Sequence, residues 1–165
     1  MATLADELYR QDFYAWTREQ ADALRRLAGE RWNGPLDLEN LAEEIEDLGT
    51  NVLEIVLTRL RRIIEHLLKL EYSPSPLPRR QWLVTVRSAR ADVRRRMTAR
   101  IRNTVEEEFD EIFADARYNA AQSLAAFGEL ESARALPPTC PYGLDQLLDR
   151  DWLPTTRHGL VDEPL

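Results

Sequence analysis

Cysteine, histidine and glycine are scarce in this chain: one, two and six among 165 residues. The lone Cys140 excludes a disulfide framework and a cysteine-built zinc site. Two histidines, His66 and His158, are too few for a multi-histidine metal centre. Few glycines, with nine prolines mostly gathered in two clusters, argue against an all-β fold rich in tight turns. No apolar run approaches the ~20 residues of a membrane-spanning helix. The acidic start, Met1-Ala2-Thr3-Leu4-Ala5-Asp6-Glu7, lacks a signal-peptide core. Phosphate loops, dinucleotide fingerprints and nucleophile elbows are also missing from the sequence. These absences lead to the expectation of a soluble cytoplasmic protein that does not engage a membrane.

What is present is apolar and charged: 44% and 31% of residues, with a net charge of -7. That balance fits one globular domain with a real core, expected over residues 1–154, with residues 155–165 as a mobile tail. The negative charge disfavours generic attraction to nucleic acid.

Helical periodicity dominates. Asp12 is placed to cap a first helix whose face carries Phe13, Trp16, Gln20, Leu24 and Leu27. That helix is expected to stop near Gly29, ahead of the breaker Asn33-Gly34-Pro35. A second helix is expected from about Leu38 to Tyr72, continuous through Gly49 or bent there. Its seam reads Leu38, Leu41, Ile45, Leu48, Val52 and Ile55, then Leu60, Ile63, Leu67 and Leu70. Beyond Gly49 the apolar face widens to include Leu53, Val56, Leu57, Ile64 and Leu68. Such a helix is central in a bundle or lies at a subunit interface.

Ser73-Pro74-Ser75-Pro76-Leu77-Pro78 must end it. A third helix is expected from about Gln81 to Arg102, with Trp82, Val86, Ala89, Val93, Met97 and Ile101 inward. Thr104-Val105-Glu106-Glu107 reads as a capping box. It would open a fourth helix with a seam of Val105, Phe109, Ile112, Ala116, Ala120, Leu124 and Phe127. Residues 144–148 suit one short helix, and Trp152-Leu153-Pro154 suits a tail segment packed on the body. The fold class expected is all-α: an antiparallel bundle of about four helices with an irregular C-terminal tail.

Five stretches carry a resemblance. They are Asp12-Phe13-Tyr14-Ala15-Trp16, the segment of residues 36–49, His66-Leu67-Leu68-Lys69-Leu70-Glu71-Tyr72, residues 82–90, and Cys140-Pro141-Tyr142 through Trp152-Leu153-Pro154. In this order they resemble the bacterial domain of unknown function 29 family, abundant in cyanobacteria and some proteobacteria. The resemblance covers nearly the whole chain and departs from the family pattern over residues 127–136. It implies an all-helical, soluble, cytoplasmic protein with no assigned activity, cofactor or catalytic residue.

Five carboxylates fall within the nine positions from Glu39 to Asp47. Asn40, Glu44, Asp47 and Asn51 recur at i, i+4, i+7 and i+11 on one flank of the seam, while Glu39, Glu43 and Glu46 point to water. A half-buried carboxylate flank suits either arginines of the third helix or a divalent cation, since Mg²⁺ and Mn²⁺ take several oxygen ligands. Glu19 and Asp22 on the first helix repeat the i, i+3 spacing of Glu44 and Asp47. Paired acidic clusters of this kind hold the metal in all-helical nucleotide pyrophosphatases, where the metal activates a water.

His66 falls on the core side of the second helix, as a general base, a ligand or a hydrogen-bonded core residue. In a continuous helix it lies about 28 Å from Asp47, too far to share a site. The third helix is basic, with nine arginines in 24 residues, Arg90 among them. Acidic neighbours account for that charge more economically than nucleic acid does.

No catalytic or cofactor-binding residue can be assigned. The leading expectation is a non-enzymatic helical module that binds another protein or a second copy of itself, because the apolar face from Val52 to Leu70 is wider than one neighbour requires. The alternative is a Mg²⁺- or Mn²⁺-dependent nucleotide hydrolase using Glu44, Asp47, Glu19 and Asp22.

Overall fold

The computed structural model describes residues 4–30 and 32–162. The ends of both expected termini, residues 1–3 and 163–165, lie outside the described residues. Among those described, the chain forms eight helices and no strand, rather than about four helices. They are α1 (Leu4–Gln11), α2 (Phe13–Gly29), α3 (Leu38–Tyr72), α4 (Arg79–Arg96), α5 (Ala99–Glu107), α6 (Phe109–Ala126), α7 (Leu130–Ala135) and α8 (Leu144–Leu148). No helix among the described residues is long and apolar enough to cross a membrane. The chain packs as two compact units. Unit 1 is Met1–Ile55 with Met97–Thr104, and unit 2 is Val56–Arg96 with Val105–Leu165.

Within unit 1, Asp12 caps α2 as expected, its Oδ1 accepting from the Ala15 N–H at 2.9 Å. Its Oδ2 accepts from the Arg100 N–H at the start of α5, at 3.4 Å. The inward face of α2 differs from the expected one: Tyr14, Thr17 and Ala21 are buried, while Leu27 is exposed. Phe13 and Trp16 are half-buried because α1, which the hydrophobic pattern does not reveal, sets Tyr9 edge-on against both.

In α3 the buried line runs through Leu38, Ala42, Gly49 and Leu53. A Cβ at Gly49 would collide with the Thr17 side chain. Small residues thus let α2 approach α3 closely, and the contact line follows size rather than hydrophobicity. Leu41, Leu48 and Ile55, expected in the seam, are exposed in consequence.

In unit 2 the wide apolar face is used up. Leu60, Ile63, Ile64, Leu67, Leu68 and Leu70 of α3 are fully buried. They share the unit's core with Trp82, Val86 and Val93 of α4 and with Ile112, Ala116, Ala120 and Leu124 of α6. Phe127, placed in the α6 seam by its spacing, is 69% exposed. Gly128, at φ 82°, explains why. It closes a Schellman motif in which the Glu129 N–H bonds Leu124 O at 2.9 Å and the Gly128 N–H bonds Ala125 O at 3.0 Å, so the helix ends before Phe127 can turn inward.

The third expected helix breaks early, at Met97-Thr98. Thr98 caps α5 through its Oγ1, which accepts from the Ile101 N–H at 3.3 Å. Thr104, read as a cap, sits inside α5 and bonds back to Arg100 O.

Candidate functional site

α3 in unit 1 carries the acidic segment, and its geometry corrects the expected one. Asn40, Glu44, Asp47 and Asn51 are all exposed rather than half-buried. Asn40 is held by Asp37, whose Oδ2 accepts from its side-chain amide at 2.6 Å. Glu46, expected to face water, is the carboxylate turned toward α2. It takes Arg25 at 2.5 Å and Arg18 at 3.1 Å. Arg25 above all, then Arg18, holds the Glu46 carboxyl below its ordinary range.

The reason is the same rotation of α3 that exposes Leu41. Turning the helix onto Ala42 and Gly49 carries Glu46 inward and Glu44 outward. On α2, Glu19 is exposed and Asp22 leans on Arg25 at 3.7 Å. Among the described residues no three His, Cys, Asp or Glu side chains gather as a metal site. Of the four carboxylates Glu19, Asp22, Glu44 and Asp47, Asp22 has Arg25 as its neighbour.

That rotation also leaves an apolar stripe facing outward. Leu41, Leu48 and Ile55 are 39%, 53% and 39% exposed, and Ile45 and Val52 between them are half-buried. The spacing is 4-3-4-3, the seam of a helix that packs against another helix. Glu44, Asp47 and Glu54 flank it, exposed and without an ion pair among the described residues.

In unit 2, His66 is 12% exposed at its side chain, and its Nδ1–H donates to Arg62 O at 3.0 Å. Burial first, then the Lys69 ammonium, pushes its pKa down to about 4, against an opposing Glu65 carboxylate. Lys69 is itself buried, paired with Glu65 at 2.7 Å and lying 5.3 Å from the Trp82 ring centre. His66 is thus a half-buried, neutral side chain beside the Lys69–Glu65 pair.

Arg90 is buried too, and its guanidinium donates to Leu147 O (2.8 Å), Trp152 O (2.9 Å), Gln146 O (3.3 Å) and Arg150 O (3.5 Å). Two of those carbonyls, Gln146 O and Leu147 O, lie in the last turn of α8, and Gln146 O also accepts from the Asp149 N–H at 3.3 Å. Burial lowers the Arg90 pKa to about 10, still cationic at neutral pH. The Cys140-Pro141-Tyr142 and Trp152-Leu153-Pro154 segments meet as an edge-on Tyr142–Trp152 pair at 5.4 Å. Tyr142 also donates to Glu71 at 2.6 Å.

No curated protein matches this chain. A solved structure does: an alpha-helical protein of unknown function from Rhodospirillum rubrum ATCC 11170. It is 29% identical, with a TM-score of 0.70, and the match covers 87% of this chain and 90% of that one. The family described as "Domain of unknown function DUF29" matches residues 8–153. Arg90 on α4, the Tyr142–Trp152 corner and the acidic first half of α3 all fall inside that span, and the chain belongs to the DUF29 family.

Proposed function

We propose that the protein is a non-enzymatic interaction module whose docking surface is the outer seam of α3, Leu41 to Ile55. The observation that supports it is an apolar stripe with helix-packing spacing that the chain's own core does not cover. The occupant is an amphipathic helix of a partner protein with a leucine-type seam and lysine or arginine on its flanks. Helix-in-groove recognition of this kind reads apolar anchors three and four residues apart.

Charge decides between this partner and a second copy of the chain. In a two-fold antiparallel pair of α3 seams, the flank bearing Glu44, Asp47 and Glu54 would face its own copy, and like charges oppose that contact. A basic flank relieves it. The single thiol and the lack of a membrane-spanning helix among the described residues fit an intracellular setting.

Photo-crosslinking in living cells tests the proposal. A photoreactive residue replacing Leu48 should give one discrete adduct whose crosslinked peptide is a basic amphipathic helix. The same residue replacing exposed Tyr118, on unit 2, should give none. Equal labelling at both positions, or no adduct at Leu48, would overturn it.

A further inference from the structure

Unit 2 holds an arginine-lined hollow that the α3 seam does not involve. Arg87, Arg90, Ala91, Arg94 and Arg150 line a hollow of about 410 Å³, within the ~300–1,000 Å³ of small-ligand pockets. The first four recur at i, i+3, i+4 and i+7, so one face of α4 presents them together. Arg150 faces them from the segment after α8. Arg90 is the back wall: its donors are spent on four carbonyls, one of them Arg150's own, which fixes where Arg150 stands.

Other arginines of α4 are occupied, Arg79 by Asp162 and Arg95 and Arg96 by Asp92. Arg94 and Arg150 are exposed and form no ion pair among the described residues. Asp149 acts electrostatically on Arg90 and Arg94, and Asp151 on Arg90. Asp149 is turned into its own loop, its Oδ1 accepting from the N–H groups of Asp151 (2.9 Å) and Trp152 (3.2 Å).

We infer that this hollow binds a phosphorylated small molecule, with the phosphate held between Arg94 and Arg150. A guanidinium fork matches phosphate oxygens two at a time. The space exceeds a single phosphate group, so a phosphate ester or diphosphate fills it. A hollow of this size on an acidic chain does not offer the extended basic track that a nucleic-acid backbone needs.

Isothermal titration at low salt tests this with pyrophosphate, glycerol 3-phosphate and inorganic phosphate. Pyrophosphate or the ester should bind, and Arg94→Ala or Arg150→Ala should each weaken binding about tenfold. Arg80→Ala, exposed on the same helix but outside the hollow, should leave it unchanged. Tighter binding of the ester than of inorganic phosphate assigns the site to organic phosphates, and the reverse assigns it to the free ion. Both arginines are exposed, so circular dichroism should show intact folds, and Arg94→Lys keeps the charge while losing the fork. No heat from any of the three anions, or equal weakening by Arg80→Ala, would overturn the inference.

Discussion

Ile63 and Leu41 are both aliphatic residues on the seam of one helix, yet they stand in opposite environments. Ile63 is fully buried and Leu41 is 39% exposed. Ile63→Ala should cost about 2–5 kcal/mol, the range for cavities in a packed core. Leu41→Ala should stay within about 1 kcal/mol, as surface substitutions do. Urea unfolding of the two variants checks both. His66 supplies a pH dependence. Its folded pKa of about 4 lies below the ordinary value near 6.5, so the unfolded chain takes up the proton more readily. The stability contributed by neutral His66 is therefore complete above about pH 6.5 and is lost as pH falls toward 4, by on the order of 3 kcal/mol. His66→Gln should flatten that part of a stability-against-pH curve.

Helices meet through glycine and threonine here as much as through leucine. Alanine is about 1 kcal/mol better than glycine inside a helix, so Gly49→Ala should stabilise α3 on propensity alone. Thr17 prevents that gain. Its Oγ1 donates to Tyr14 O at 2.8 Å, which holds the side chain where the new methyl would sit. Gly49→Ala should therefore be net destabilising in the native background and stabilising in Thr17→Ala, giving a coupling of at least about 0.5 kcal/mol in a double-mutant cycle.

The ends of α2 and α3 were legible in the sequence because Asp12, Asn33-Gly34-Pro35 and the alternating prolines act locally. The rotation of α3 was not legible, because a pattern of large apolar residues does not register a contact made by Ala42 and Gly49. The same cause hid the site: the carboxylate that turns inward is Glu46, and the leucines that turn outward are those the pattern placed in the core. Thr98 was missed as a cap because Thr104-Val105-Glu106-Glu107 offers the fuller capping pattern, and tertiary contact with Asp12 favours the earlier start.

The C-terminal segment shapes stability at the scale of the whole chain. Residues 155–162 supply partners to the end of α3. The Arg157 N–H and the His158 Nε2–H donate to the Glu71 and Tyr72 carbonyls at 2.9 Å each. Asp162 pairs with buried Arg79 at 2.6 Å, and Arg79 reaches Leu70 O at 2.9 Å. Helix ends must place their last carbonyls somewhere, and this helix places three on Arg79 and the chain's end. Truncation after Pro154 strands Arg79 without its carboxylate, so it should cost about 3–5 kcal/mol, readable as a lower urea midpoint. A truncation that leaves stability unchanged would show the segment to be dispensable.

The outward seam of α3 is tested most directly by nuclear magnetic resonance titration of the labelled protein with two synthetic helical peptides. Both carry the same leucine seam, one with lysine and arginine flanks and one with glutamate flanks. Docking on α3 predicts that the basic peptide shifts resonances of residues 41–55, that the acidic twin does not, and that Leu48→Glu abolishes the effect. Shifts scattered over the surface, or binding that survives Leu48→Glu, would contradict it.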